Sequence, residues 1–137
     1  MSRNDYVKIC KEENKAIFNG KYMVQYQRNK HGCPTGLVLA FKKNGKIMVG
    51  WSKCNTKLET FDKHIGLNKA YYKAFDLNSL QFTLKHEPYL PNIPHSLKHT
   101  LHAIINRACR YYKKEALNVQ NNFNLADFVV GAPRLSN

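Results

Sequence analysis

The chain has few acidic residues. Nine Asp and Glu stand against 22 Lys and Arg in 137 residues, which gives a formal net charge of +13. The segment from His95 to Asn118 contains a single carboxylate, that of Glu115. A domain with this surplus of positive charge repels itself, and the usual partner of such a domain is polyanionic or acidic. The composition therefore predicts a class of partner more directly than it predicts an activity.

Long apolar runs and closely spaced cysteines are also missing. No apolar stretch approaches the ~20 residues of a membrane span, and the N-terminus has no apolar signal core, so we predict a cytoplasmic protein without membrane contact. The cysteines lie far apart, at Cys10, Cys33, Cys54 and Cys109, and in that compartment they are expected to be reduced. A Gly-rich phosphate loop is excluded too, because Gly32–Gly36 has no following Lys and helix.

The hydrophobic content of 43% and aromatic content of 12% are typical of a folded domain. The length predicts one domain over residues 1–137. Residues 118–137 are polar at first and then briefly apolar, which predicts a tail that is flexible or docks loosely. The oligomeric state stays open.

The N-terminal half alternates between two hydrophobic periods. Residues 1–20 have a weak helical pattern that ends at Asn19-Gly20, and a period of two then predicts a strand at Tyr22–Tyr26. Asn44-Gly45 is typical of a two-residue type I′ turn, so it should join strands Leu37–Lys42 and Lys46–Ser52 as a hairpin. These three strands would form a meander with one apolar face.

The C-terminal half predicts two further helices. Helical spacing extends over Lys57–Phe75, where Gly66 and Ala70 would allow a close approach to the sheet. Leu80–Lys85 is a candidate fourth strand, and His95–Leu117 is predicted as a long basic helix. The predicted fold class is α+β: a small antiparallel sheet of three or four strands, packed with two main helices of which the C-terminal one is long and basic.

The basic helix is the first candidate site. It offers cations for phosphates and rings for stacking, mainly to the nucleic-acid backbone. The residues predicted to contact nucleic acid or an acidic partner are Lys98, His99, His102, Arg107, Arg110, Tyr111, Lys113 and Lys114. The alternative is a solvated helix face whose cations suit the C-terminal dipole.

Alternating aromatic residues on the strands are a second candidate. Tyr22 and Tyr26, flanked by Arg28 and Lys42, would form an exposed stacking platform together with Phe41 and Trp51. Aromatic residues that alternate along a strand also belong to ordinary sheet cores, which is the alternative interpretation.

Catalytic and metal chemistry have weaker signals. His95, His99 and His102 share one helical face that is able to hold a metal, but no carboxylate accompanies them. A polar face that gains charge at low pH is the alternative. Cys54 and His64 form a conceivable nucleophile and base without an orienting acid. We therefore predict no catalytic residue and no cofactor; whether the protein is an enzyme stays open, and the sequence favours a binding protein.

Two segments resemble small accessory proteins encoded by tailed bacteriophages. One is Gly50-Trp51-Ser52-Lys53-Cys54 followed by Phe61, Lys63 and Gly66; the other is Arg107-Ala108-x-Arg110-Tyr111-Tyr112-Lys113. The chain departs from the family pattern at Glu59, where Asp is favoured, and at Tyr71-Tyr72. The resemblance implies expression in the cytoplasm of an infected bacterium and a role in modifying host or viral processes, and it implies no reaction.

Three functions remain open from the sequence. The first is nucleic-acid binding through the basic helix. The second is inhibition or modulation of a host protein, such as a nuclease, polymerase or defence factor, by docking on its acidic patch. The third is metal-dependent hydrolysis with the three histidines.

Overall fold

The N-terminal helix, α1 (Arg3–Phe18), has both of its ends capped. A computed structural model describes residues 1–43, 46–76, 81–82, 88–90, 92–111, 118–119 and 123–124. At the start of α1, the Ser2 hydroxyl accepts from the Asp5 amide and the Asp5 carboxylate accepts from the Ser2 amide, which forms a capping box. At its end Asn19 takes a left-handed conformation with φ 48°. The predicted stop at Asn19-Gly20 is confirmed.

Three strands form the main antiparallel sheet in the order β1-β2-β3. They are β1 (Met23–Arg28), β2 (Pro34–Lys43) and β3 (Lys46–Lys53). Lys43 pairs with Lys46, so β2 and β3 form the predicted hairpin; the Asn44-Gly45 turn itself lies outside the described residues. β2 starts earlier than predicted, because Pro34 already pairs with Arg28 past an irregularity in β1.

Both faces of this sheet are buried, and the prediction of one apolar face was wrong. On one face Leu37, Leu39 and Phe41 of β2 pack with Phe18 and Leu67. On the other face Val38 and Ala40 pack against the C-terminal helix. Successive side chains of a strand point to opposite faces, and β2 is a continuous apolar run from Leu37 to Phe41. Such a run is typical of a strand that is covered on both sides.

Helix α2 (Lys63–Asp76) begins six residues later than the predicted start at Lys57. The Asp62 carboxylate accepts from the amides of His64 and Ile65, which caps the helix at that point. Upstream of this cap, the Leu58 amide donates to the Asn55 carbonyl in a turn. Leu58 is consequently 82% exposed and takes no part in the core.

Small residues let α2 approach β3 closely. Gly50 lies against the backbone of Ala70 and Ala74, and the buried Ser52 hydroxyl donates to the Gly66 carbonyl at 2.9 Å. The predicted close approach at Gly66 and Ala70 is confirmed. The sheet residue at this close approach is Gly50 of β3, the strand that also carries Trp51.

The C-terminal elements differ from the predicted ones. β4 (Gln81–Phe82) covers two residues of the predicted strand and pairs with β5 (Pro88–Tyr89), away from the main sheet. The predicted long helix starts as a 3₁₀ turn at His95–Leu97 and continues as α3 (Lys98–Tyr111), which has 14 residues. Residues 112–117 lie outside the described part of the chain. A short pair, β6 (Asn118–Val119) and β7 (Phe123–Asn124), follows in the region predicted as a tail.

The architecture is therefore α+β, as predicted, and in the described part of the chain three α-helices surround a three-stranded sheet. α1 and α2 cover one face and α3 covers the other. Among the described residues, no helix combines the length and the apolar character that crossing a membrane requires.

Candidate nucleic-acid interface

Helix α3 is strongly divided into an inner and an outer face. Five residues on its inner face and in the preceding turn have no exposed surface: Leu97, Leu101, Ile104, Ile105 and Ala108. They pack onto Val38, Ala40 and Val49 of the sheet. This burial fixes the orientation of the helix, because rotating it would carry apolar side chains into solvent. Most of the polar residues between them are therefore directed outward, although Thr100 is 7% exposed.

The outer face carries cations and imidazoles along its length. His95, Lys98, His99, Asn106 and Arg110 are exposed, and His102 is partly exposed. No Asp or Glu occurs between Asn92 and Tyr111, so no carboxylate of this helix offsets the charge. We call these six residues the α3 outer face. Lys98, His99, His102 and Arg110, which the sequence assigned to a binding surface, thus lie on one side of one helix.

Two hydrogen bonds tie the turn before this helix to the sheet, and a third positions one of their donors. The Lys53 ammonium donates to the Ser96 hydroxyl at 2.7 Å, and the Gln27 amide donates to the Ser96 carbonyl at 3.2 Å. The hydroxyl of Thr35 also donates to the Gln27 side-chain oxygen. Lys53 thereby adds an exposed cation beside His95, which extends the positive surface beyond the helix.

Arg107 lies at the margin of the α3 outer face and is directed toward the sheet. Its Nη1 donates to the Val24 carbonyl at 2.8 Å and to Gln25 Oε1 at 2.9 Å. Both acceptors belong to β1, which is an edge strand of the main sheet. The sequence grouped Arg107 with the outward cations, whereas the geometry gives it a structural contact. Helical spacing alone does not show which arginine finds an acceptor on a neighbouring strand.

The C-terminal end of the predicted interface is only partly described. Tyr111, the last described residue of the helix, is 71% exposed. Lys113 and Lys114, with Tyr112, lie outside the described residues. The described interface therefore runs from Lys53 and His95 to Tyr111.

The three histidines do not form a metal centre. Within the described residues, no three or more His, Cys, Asp or Glu side chains lie close enough together to hold a metal ion. His95, His99 and His102 all belong to the described residues, so this finding applies to them. His95 belongs to the 3₁₀ turn, whereas His99 and His102 belong to α3. The change of helical geometry alters the spacing that the sequence pattern assumed.

The aromatic residues of the strands do not form an exposed platform. Tyr22 packs on Phe18 with ring centroids 4.9 Å apart, and Tyr26 packs on Phe61 at 6.2 Å. Phe41 is buried in the same cluster, whereas Trp51 packs on the opposite side of the sheet. Arg28 remains exposed, with its guanidinium 5.4 Å from the Tyr26 ring centre, and Lys42 is partly exposed. The core alternative describes these rings better.

The cysteine and histidine considered for thiol chemistry are not paired. Cys54 Sγ contacts the Glu59 carbonyl oxygen at 3.5 Å and its carboxylate at 3.8 Å. Burial, together with the nearby Glu59 carboxylate, raises the pKa of the Cys54 thiol. A raised pKa disfavours the nucleophilic thiolate, so the site offers no activation of this cysteine.

The structure also brings together cations that the sequence left apart. Lys11 and Lys15 of α1 and Lys63 of α2 line a cleft of about 260 Å³ on the face opposite α3. Lys11 and Lys15 are four residues apart and so share a helix face, and this spacing is visible in the sequence alone. Their proximity to Lys63 depends on how α1 packs on α2, and no local pattern encodes that packing.

Comparison of the chain with family models, curated proteins and solved structures gave no match. The resemblance to phage accessory proteins and the role it implies therefore remain predictions. The function has to be argued from the surface itself.

Proposed function

We propose that this protein binds nucleic acid through the α3 outer face, mainly by contacts to the phosphate backbone. The observation that supports the proposal is the combination of exposed Lys98, His99 and Arg110 with a complete lack of carboxylates along the helix. A solvated helix face normally carries acidic residues as well, and their absence here leaves the positive field uncompensated.

The dimensions of the face suit a polyanion. The 14 residues of α3 extend over about 21 Å at 1.5 Å per residue. His99, His102, Asn106 and Arg110 follow one another at helical intervals on one side. A protein that contacts phosphates at several points along such a face gains affinity by releasing the counter-ions condensed on the nucleic acid.

Base readout has little support on this surface. The chain lacks a helix-turn-helix, zinc-finger, KH or RRM signature. Tyr111, exposed at the end of α3, is suited to stacking on a base of a single strand, and such stacking tolerates different sequences. We therefore expect weak sequence preference. The finer proposal, that the protein acts during infection of a bacterium by a phage, rests on the resemblance alone.

A double substitution tests the proposal. Lys98→Gln with Arg110→Gln removes two exposed cations from the α3 outer face without changing its inner side. We expect it to weaken binding of unrelated 20-base-pair duplexes and single strands about tenfold or more at ~50 mM salt, which is about 1.4 kcal/mol. Fluorescence anisotropy with labelled oligonucleotides measures this change.

The matched control is Lys8→Gln with Lys57→Gln, which removes two exposed cations from outside α3. Equal weakening in both double variants would mean that only net charge matters and would contradict the proposed site. Absence of any binding by the unmodified protein at ~50 mM salt would overturn nucleic acid as the partner. In that case an acidic protein surface becomes the favoured occupant, and a pull-down after nuclease treatment would identify it.

A further inference from the structure

A second basic site lies between α1 and α2, on the face of the sheet opposite α3. We call it the α1–α2 cleft and define it by an apolar floor of Phe18, Tyr22 and Leu67 and a rim of Lys11, Lys15 and Lys63. Its volume is about 260 Å³, somewhat below the roughly 300–1,000 Å³ typical of pockets for drug-sized ligands. A small ligand fits this space better than a polymer does.

The rim carries positive charge without compensation. None of the side chains that line the cleft is an Asp or Glu. The three lysines are exposed, and none of their ammonium groups has a hydrogen bond or ion pair with another described residue. Three such groups around one cleft repel one another, and a bound anion would remove that repulsion.

Two acidic side chains of this layer, Asp62 and Glu13, are engaged elsewhere. The Asp62 carboxylate accepts two amide hydrogen bonds at the start of α2, and the Glu13 carboxylate accepts from the Asn68 amide at 2.6 Å. Neither residue lines the cleft. Asp62 also satisfies the first amides of α2, so the lysines, and not the helix end, supply the charge.

The floor is apolar and partly aromatic. Phe18 and Leu67 are 5% and 2% exposed, whereas Tyr22 remains half-buried and keeps part of its surface open. The Phe18 and Tyr22 rings meet at 40° with centroids 4.9 Å apart. An aromatic surface beside cations favours a ligand that has a flat ring as well as a negative charge.

A buried polar network holds the two helices at the base of the cleft. The Asn14 side chain, 6% exposed, donates to the His64 carbonyl at 2.9 Å. Asn68 donates to the Asn14 side-chain oxygen at 3.1 Å. Because these bonds join α1 to α2, the spacing between Lys15 and Lys63 is set before a ligand arrives. Such preorganisation lowers the cost of binding.

From these observations we infer that the α1–α2 cleft binds a small phosphomonoester that carries a planar ring, the class to which nucleoside 5′-monophosphates belong. The lysines of the rim would bind the phosphate, and Tyr22 with Phe18 and Leu67 would contact the ring. This inference is independent of nucleic-acid binding by α3, because the two sites share no residue and lie on opposite sides of the sheet.

Isothermal titration calorimetry with three probes tests the inference: adenosine 5′-monophosphate, adenosine and inorganic phosphate. We expect the nucleotide to bind at least tenfold more tightly than either of its parts. Adenosine binding as tightly as the nucleotide would contradict the role of the lysines. Phosphate binding as tightly as the nucleotide would contradict the role of the floor, and a nucleotide that does not bind at millimolar concentration overturns the whole inference.

Two double variants then place the site. Lys15→Gln with Lys63→Gln should weaken nucleotide binding tenfold or more, whereas Lys8→Gln with Lys57→Gln should leave it within twofold. The α3 variant, Lys98→Gln with Arg110→Gln, should also leave nucleotide affinity unchanged. Failure of the cleft proposal is therefore distinguishable from failure of nucleic-acid binding by α3. Unchanged affinity in the Lys15/Lys63 variant would contradict the cleft as the site. All of these substitutions are at exposed positions, so the fold should persist.

Discussion

Helix α2 lies against the sheet through glycine and alanine, whereas α3 lies against it through leucine and isoleucine. On the α2 side Gly50 meets the backbone of Ala70 and Ala74, so backbone packs on backbone. On the α3 side Leu101, Ile104 and Ile105 fill the space between helix and sheet. A close backbone approach tolerates no added atoms, whereas a layer of side chains adjusts more readily.

The two sides also differ in how they use polar groups. Buried amides and a hydroxyl join α1, α2 and β3, at Asn14, Asn68 and Ser52. On the α3 side the buried cluster is aliphatic, and Lys98, His99 and Arg110 lie on the outer surface. The comparison suggests that the α1/α2 layer holds a fixed cleft, while α3 presents an open surface. Each of the following predictions tests one part of this contrast.

The largest expected effect comes from Gly50→Ala. A methyl group at this position would overlap the Ala70 carbonyl, which belongs to the helix backbone and cannot turn aside. We expect the free energy of unfolding to fall by about 3 kcal/mol or more. Urea denaturation measures the change.

Gly66→Ala is the matched control, because Gly66 lies on α2 where this helix approaches β3. Its added Cβ would lie 3.0 Å from Leu37 Cδ2 and 3.2 Å from the Ser52 hydroxyl. These side-chain ends have more freedom to shift, and alanine gains about 1 kcal/mol of helix propensity over glycine. We expect a change within about 1 kcal/mol. Equal losses in the two variants would contradict the distinction between backbone and side-chain contacts.

An intermediate effect is expected from Arg107→Met, which keeps much of the apolar stem but loses both hydrogen bonds to β1. We expect about 1–2 kcal/mol of lost stability and faster amide exchange along β1, measured by hydrogen–deuterium exchange. Arg110→Gln, at an exposed position, should change stability by less than about 0.5 kcal/mol. A stability loss in Arg110→Gln as large as in Arg107→Met would contradict the different roles assigned to the two arginines.

The smallest expected effect is a loss of stability at alkaline pH, caused by titratable groups on the α1/α2 side of the sheet. Burial is the largest cause of a raised pKa at Tyr6, Cys10, Tyr26 and Cys54. The folded protein holds these protons more tightly than the unfolded chain, so their contribution to stability is complete at neutral pH. It is lost as the pH rises through and above the ordinary values of 9.0 for cysteine and 10.0 for tyrosine.

We therefore expect Tm to fall between about pH 8 and pH 10.5. Tyr26→Phe removes one of these protons and should make the decline less steep, which differential scanning calorimetry can measure. A Tm that stays constant or increases over this range would contradict the expected loss of stability with increasing pH.

Local sequence patterns predicted the elements more successfully than the contacts between them. The Asn44-Gly45 signal correctly paired Lys43 with Lys46, because a tight turn determines the register of its own strands. The predicted start of α2, at Lys57, is six residues too early. The apolar spacing extends back to Leu58, whereas the helix begins directly after its capping residue, Asp62. The Asp62 cap is the stronger physical signal for the start of the helix.

The candidate site was predictable only where it depends on one helix. Outward Lys98, His99 and Arg110 follow from the apolar stripe of α3. Arg107 was assigned to the same surface because its acceptor, the Val24 carbonyl, lies 83 residues earlier in the chain. For the same reason the α1–α2 cleft could not be foreseen: Lys15 and Lys63 meet only after the two helices have packed.

The salt dependence of duplex binding by the unmodified protein and by Lys98→Gln/Arg110→Gln is the most direct measurement of the central claim. A plot of log K against log salt should be linear for both, with a slope about 1.8 units shallower for the variant, since each lost phosphate contact contributes about 0.9. Equal slopes in the two proteins would mean that these cations do not contact phosphates and would contradict the account.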